Sequence, residues 1–103
     1  MIHVLVLTRE QCRWCDEAKT ILAQLATIYD LSVDTLDIMT PDGEALALRS
    51  GVLFPPGVFL DGATFSYGRL SERKLRQELD HRMSHLSQRG EDGYGTQISD
   101  TQT

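Results

Sequence analysis

The chain has 103 residues, of which 41% are hydrophobic and 24% charged, and its net charge is −5. These values fit one globular domain with a modest core, and the negative balance disfavours general nucleic-acid binding, which needs a basic surface. No apolar run approaches the roughly 20 residues that cross a bilayer, and "MIHVLVLTREQC" lacks the basic leader and small-residue cleavage site of a signal peptide, so a cytoplasmic, membrane-free protein is expected.

Ile2 to Leu7 is a short, nearly continuous apolar run with β-branched residues, the pattern of a strand covered on both faces. Ala18, Ile21, Leu22, Leu25, Ile28 and Tyr29 then recur at three- and four-residue steps, which predicts a helix from about Cys15 to Tyr29. Asp16 and Glu17 fall in its first turn, where carboxylates suit the helix dipole. Leu31 to Ile38 has strand character. Thr40 offers a side-chain cap and Pro41 a first helical residue, opening a helix through about Ser50 that Gly51 ends.

Val58 to Leu60 and Ala63 to Tyr67 read as strands joined at Asp61-Gly62, a strong hairpin signal. Ser71 caps a last helix through about Leu86, with Leu70 and Leu75 placed as a hydrophobic staple and Leu75, Leu79, Met83 and Leu86 as its apolar stripe. The fold class is therefore α/β in the order β-α-β-α-β-β-α, a four-stranded mixed sheet with helices on both faces. The first two strands are expected to be parallel and right-handed in their crossover. Residues 1–86 form the domain. Residues 87–103, with Tyr94 and Ile98 as their only sizeable apolar residues, read as a disordered tail.

The two cysteines, Cys12 and Cys15, stand together between the first strand and the first helix. As a metal clip they supply two ligands where a structural zinc site wants four. His81 and His85 are far away in sequence, on a predicted solvated helix surface, and His3 reads as a packed or edge histidine, so no metal site is expected. As a staple they would close a loop too short to remove much entropy from the unfolded chain, in a compartment where permanent disulfides are unusual.

A redox pair fits better. The thiolate is the reactive species, and a helix start, with its unpaired N–H groups and positive dipole end, stabilises an anion at Cys12. Arg9 and Arg13 add positive charge. Cys12 is the expected nucleophile, its thiol more acidic than usual, and Cys15 the buried resolving thiol.

With these residues in place, "LTREQCRWC" resembles the glutaredoxin branch of the thioredoxin superfamily, whose strand leads through Thr or Ser and a basic residue to Cys-Pro-Tyr-Cys. Thr8, Arg9, Cys12 and Cys15 fall on matching positions, and Trp14 is aromatic where Tyr is common. "PPGVFLDG" is similar to the family's cis-proline segment, on which Pro56, Val58, Phe59, Leu60 and Gly62 fit. The resemblance covers residues 2 to about 86. It implies a cis bond before Pro56 and a place for Pro56 against Cys12.

It also implies departures. Glutaredoxins hold the cysteine part of glutathione with both backbone groups of the residue before the cis-proline; here that residue is Pro55, which has no N–H. "YGRLSE" keeps Gly68 and Ser71 of the turn that receives the γ-glutamyl carboxylate, with Arg69 and Leu70 between, and reads equally as an ordinary capped helix. Arg13 replaces the proline between the cysteines. Gln11 and Val6 stand where thioredoxins have Trp and a buried Asp.

The resulting expectation is an enzyme, a thiol-disulfide oxidoreductase with Cys12 and Cys15 as catalytic pair and Arg9, Arg13, Trp14, Pro55, Pro56, Gly68 and Ser71 around the substrate. No tightly bound cofactor is expected; glutathione is the candidate co-substrate. Expected partners are protein disulfides or glutathione and a reductase as electron donor, the protein itself being a monomer. The rival class is a non-catalytic thioredoxin-fold module that binds a partner through the Pro56 groove, or a metal or iron–sulfur cluster through Cys12.

Overall fold

The computed structural model describes residues 1–91. Its elements are β1 (Ile2–Thr8), α1 (Arg13–Leu25), β2 (Leu31–Asp37), α2 (Pro41–Ser50), β3 (Gly57–Leu60), β4 (Ala63–Tyr67) and α3 (Glu72–Glu91). The expected β-α-β-α-β-β-α order is observed. The four strands form one mixed sheet in the order β2-β1-β3-β4. β1 pairs parallel with β2 from Ile2↔Leu31 to Thr8↔Asp37, and antiparallel with β3 through Val4↔Leu60 and Val6↔Val58. β3 returns antiparallel to β4 with a register shift between Val58 and Phe59.

The hairpin signal at Asp61-Gly62 is realised in the backbone. Both residues have positive φ, 49° and 87°, as a two-residue turn matching strand twist requires. β1 is apolar on both faces because it lies inside the sheet. On one face Leu7 joins Phe59, Ala47 and Val52 in a buried cluster edged by Leu5, Leu36, Ile38 and Leu46. On the other, Ile2, Val4 and Val6 are buried together with their register neighbours Val58 and Leu60.

Two helix boundaries differ from the periodicity. α1 starts before Cys15 because the Cys12 side chain itself caps it, accepting the Cys15 N–H. It ends at Leu25, not Tyr29: the Thr27 and Ile28 N–H groups bond back only three residues, to the Gln24 and Leu25 carbonyls at 3.1 and 2.9 Å. The Thr27 hydroxyl donates to the same Gln24 carbonyl at 2.7 Å, tightening the last turn. Ile28 is consequently 61% exposed, while Cys15, Ala18, Leu22 and Leu25 carry the buried stripe.

His3 also differs from its expectation. It lies on an interior strand, yet its ring is exposed, with Nε2 2.7 Å from Asp34 Oδ2. At that end of β1 the sheet borders a hollow of about 500 Å³ lined by His3 together with Asp42, Leu46 and Arg49, and the His3 side chain is 55% exposed.

α2 follows its local signals. Thr40 Oγ1 accepts the Gly43 N–H at 3.1 Å, Pro41 is the first helical residue, and Gly51 closes the helix at φ 79°. The helix start sits so close to the end of β2 that a β-carbon at Gly43 would run into the Asp37 carbonyl oxygen and the Ile38 Cα.

α3 begins directly after Ser71 and belongs, from Arg73 onward, to a second compact unit; the unit Met1–Glu72 holds the sheet, α1 and α2. Leu75 and Leu79 of α3 are fully buried. The helix runs past its expected end near Leu86 to Glu91. The remainder of the tail expectation, from residue 92, lies outside the described residues.

The close approach at Gly43 sets a stability test. Gly43→Ala is expected to destabilise the protein by about 1–3 kcal/mol, the usual cost of forcing extra volume into a packed site. The readout is a lower denaturation midpoint at unchanged m-value.

Candidate active site

The site grows out of the C-terminal end of β1. The chain leaves the sheet at Thr8 and turns through Arg9, Glu10 and Gln11, and Gln11 takes the left-handed conformation, φ 55°. Few residues other than glycine adopt it, and those that do concentrate at turns and functional sites. The turn brings Cys12 into extended backbone, φ −113° and ψ 105°, as the N-cap of α1.

From that position the Cys12 sulfur accepts the Cys15 N–H at 3.2 Å, while the Cys12 carbonyl accepts the Asp16 N–H at 3.1 Å and closes the first turn. A sulfur in this place meets N–H groups that have no partner within the helix. Cys12 and Cys15 are joined as a disulfide with their Cα atoms 5.1 Å apart, well inside the range that permits such a bond. Cys12 is half-buried at the surface and Cys15 is completely buried.

Cys12 opens onto a groove of about 380 Å³. Arg9, Gln11, Arg13 and Trp14 border it from the turn and helix start, and Phe54 and Pro55 from the segment before β3. Four of the expected site residues are thus gathered around the sulfur: Arg9, Arg13, Trp14 and Pro55. The peptide bond between Pro55 and Pro56 is cis, as the resemblance implied. Pro55 is the one that faces the groove; Pro56 is buried, and its carbonyl accepts the Gly68 N–H at 2.8 Å.

Gly68 and Ser71 do not line the groove. Gly68 is buried at φ 82°, and a β-carbon there would come within 3.0 Å of the Phe54 ring. Its role is to let that ring lie close. Phe54 in turn meets Tyr67 edge-on, the ring centres 5.3 Å apart at 88°, a favoured aromatic geometry.

Arg69, between Gly68 and Ser71, reaches α1. Its Nε and Nη2 donate to Glu17 Oε1 and Oε2 at 3.1 and 3.3 Å, the two-point geometry suited to a carboxylate. That hydrogen bond, and the charge behind it, hold the Arg69 pKa above its ordinary value. Arg69, Glu17, Arg13 and Trp14 enclose a second hollow of about 350 Å³. Asp16, the one carboxylate in the first turn of α1, is well exposed and lies 4.0 Å from Lys19; Glu17, expected in that turn, falls one residue beyond it because the helix starts at Arg13.

Phe54, Glu17 and Arg69 are the site residues that sequence reasoning did not single out. Phe54 had a faint signal, a large apolar residue directly before two prolines. The Arg69–Glu17 pair had none, because its partners are separated by 52 positions and meet only through the topology.

Residues 3–80 match the family of the glutaredoxin-like domain (DUF836). Among curated proteins none matches the chain at a significant level. Among solved structures, a mutant thioredoxin from Halobacterium salinarum NRC-1 superposes with a TM-score of 0.61 at 23% identity, covering 78% of this chain and 73% of its own. A structure described as that of a malarial protein reaches the same TM-score at 18% identity, covering 79% and 96%. At these identities both show a shared fold. Together with the Cys-x-x-Cys pair at a helix start, the matched residues place the chain in the glutaredoxin-like (DUF836) family of the thioredoxin superfamily.

Proposed function

We propose that the protein is a thiol-disulfide oxidoreductase that reduces disulfides of polypeptide substrates, Cys12 being the attacking residue and Cys15 the resolving one. The observation that carries this reading is the placement of the two sulfurs. One is surface-accessible and accepts a first-turn N–H; the other is sealed beneath it at bonding distance.

In the reduced protein the Cys12 thiolate attacks one sulfur of the substrate disulfide. A Cys12–substrate disulfide forms, the substrate S–S bond breaks, and one substrate thiolate departs. The Cys15 thiol loses its proton to solvent and attacks Cys12 Sγ, so the second substrate thiolate leaves as the Cys12–Cys15 bond forms. The substrate gains two electrons and takes up two protons; the protein loses the same two electrons. A thiol or dithiol donor restores the reduced pair, with return of the electrons through the same mixed-disulfide chemistry.

The groove supports a polypeptide as substrate. Trp14 and Phe54 are 43% and 46% exposed beside the sulfur, offering apolar area for a chain. Pro55 supports weakened use of glutathione, since its missing N–H removes one of the two backbone bonds with which glutaredoxins hold that tripeptide.

Two expectations test these assignments. Cys12→Ser is expected to abolish disulfide reduction, whereas Cys15→Ser accumulates a mixed disulfide seen as a mass increase by intact-protein mass spectrometry; a fully active Cys12→Ser protein overturns the reading. Pro55→Thr restores a donor, and kcat/KM for a glutathione mixed disulfide is expected to rise about five- to ten-fold, the worth of one hydrogen bond of about 1 kcal/mol.

A further inference from the structure

The two hollows share Arg13 and Trp14, which border both, so a chain bound over Cys12 can continue towards Arg69. Their linings hold three guanidinium groups, Arg9, Arg13 and Arg69, against one carboxylate, Glu17. In a protein of net charge −5 this is a local reversal of sign. Arg9 and Arg13 are exposed and form no ion pair among the described residues. Arg69 is held by Glu17, through both oxygens.

We infer that this surface selects polypeptide disulfides with Asp or Glu near the cystine, and that Glu17 acts as a built-in competitor for the substrate carboxylate at Arg69. The inference rests on the oxidoreductase reading above and names the substrate class of that same site. Its physical basis is geometric. A guanidinium has two edges that can hold a carboxylate at two points, Nε–Nη2 and Nη1–Nη2. In the free protein Glu17 occupies the first and neutralises the charge behind both, so it competes with a substrate carboxylate for that edge and for that charge. Because the pair is at the surface, with the Arg69 side chain 66% exposed, its bonds exchange readily with those of an arriving anion. Binding of an acidic chain replaces Glu17 at Arg69 while Arg9 and Arg13 receive further negative charge beside the nucleophile.

A polypeptide fits this surface better than a small dicarboxylate. Trp14 and Phe54, partly exposed, line the groove together with Arg9 and Arg13 and match side chains of a longer ligand. Trp14, bordering both hollows, gives such a ligand a surface to cross. Glu17 and Arg69 are positioning and selectivity residues here, not participants in sulfur exchange.

The test uses three peptide disulfides of one backbone, differing only in acidic, neutral or basic residues flanking the cystine. Reduction by the full-length wild type, Glu17→Gln, Arg69→Gln and the double variant is followed as kcat/KM. The wild type is expected to rank acidic over neutral over basic. The acidic-to-neutral ratio is expected to rise roughly five-fold in Glu17→Gln and to fall roughly five-fold in Arg69→Gln, with the change mainly in KM. In the double variant the ratio stays at the Arg69→Gln value, since Glu17 then has nothing to compete for. Near 1 M salt, where charges are screened beyond about 3 Å, the ranking is expected to collapse.

Equal reduction of all three peptides by the wild type overturns the inference and leaves the oxidoreductase reading standing. A Glu17→Gln effect of the same size on all three peptides also overturns it, because the residue then acts on the nucleophile. Failure to reduce any peptide overturns the oxidoreductase reading, and the inference with it.

Discussion

The bond from the Cys15 N–H to the Cys12 sulfur depends on several independent features of the chain. β1 must lie inside the sheet, so that its end is fixed from both sides. The turn after it must reverse direction within a few residues, which the left-handed Gln11 accomplishes. α1 must begin at the next residue but one, with its first N–H groups unspent. If any of these failed, the sulfur would lose its position at the helix end and the two thiols would no longer lie within bonding reach. The apolar alternation of β1 and the chemistry of the thiols are thus one constraint met at two scales.

Around that bond the electrostatics are arranged locally. Glu17 lies one turn into α1, where its charge would oppose an anionic sulfur; the Arg69 guanidinium answers it through two hydrogen bonds. Asp16 sits near Lys19 and in solvent. Arg9 of the turn and Arg13 of the helix start border the groove, and neither forms an ion pair among the described residues. An acidic protein thereby gathers Arg9, Arg13 and Arg69 around the two hollows beside its cysteine pair.

What could be read from the chain beforehand was whatever is encoded over short spans. Thr40, Pro41 and Gly51 specify α2 by capping chemistry alone, and Asp61-Gly62 specifies its turn because both positions need positive φ. Cys12, Cys15, Arg9, Arg13, Trp14 and Pro55 are neighbours in space, and the grouping was legible because five of the six lie in one continuous stretch. Periodicity misled at the end of α1: Ile28 and Tyr29 keep the helical spacing, but the Thr27 and Ile28 N–H groups have already tightened to three-residue bonds, and Tyr29 reaches back to the same Leu25 carbonyl as Ile28. His3 misled because strand position does not reveal where a neighbouring helix stops covering the sheet. Gly68 and Ser71 were legible as parts of a motif, whereas the contact from Arg69 between them to Glu17 of α1 was not, because topology alone brings the two together.

Gly68 has no reactive atom and does not touch the groove, yet it sits so close behind the Phe54 ring that a β-carbon would force the ring to give way. The ring is further held edge-on by Tyr67. A β-carbon at position 68 would require that ring to shift by a few tenths of an ångström, and the positive φ of 82° would strain any other residue there. The seat of one groove-lining ring therefore depends on a residue outside the groove, where a hydrogen stands in place of a methyl.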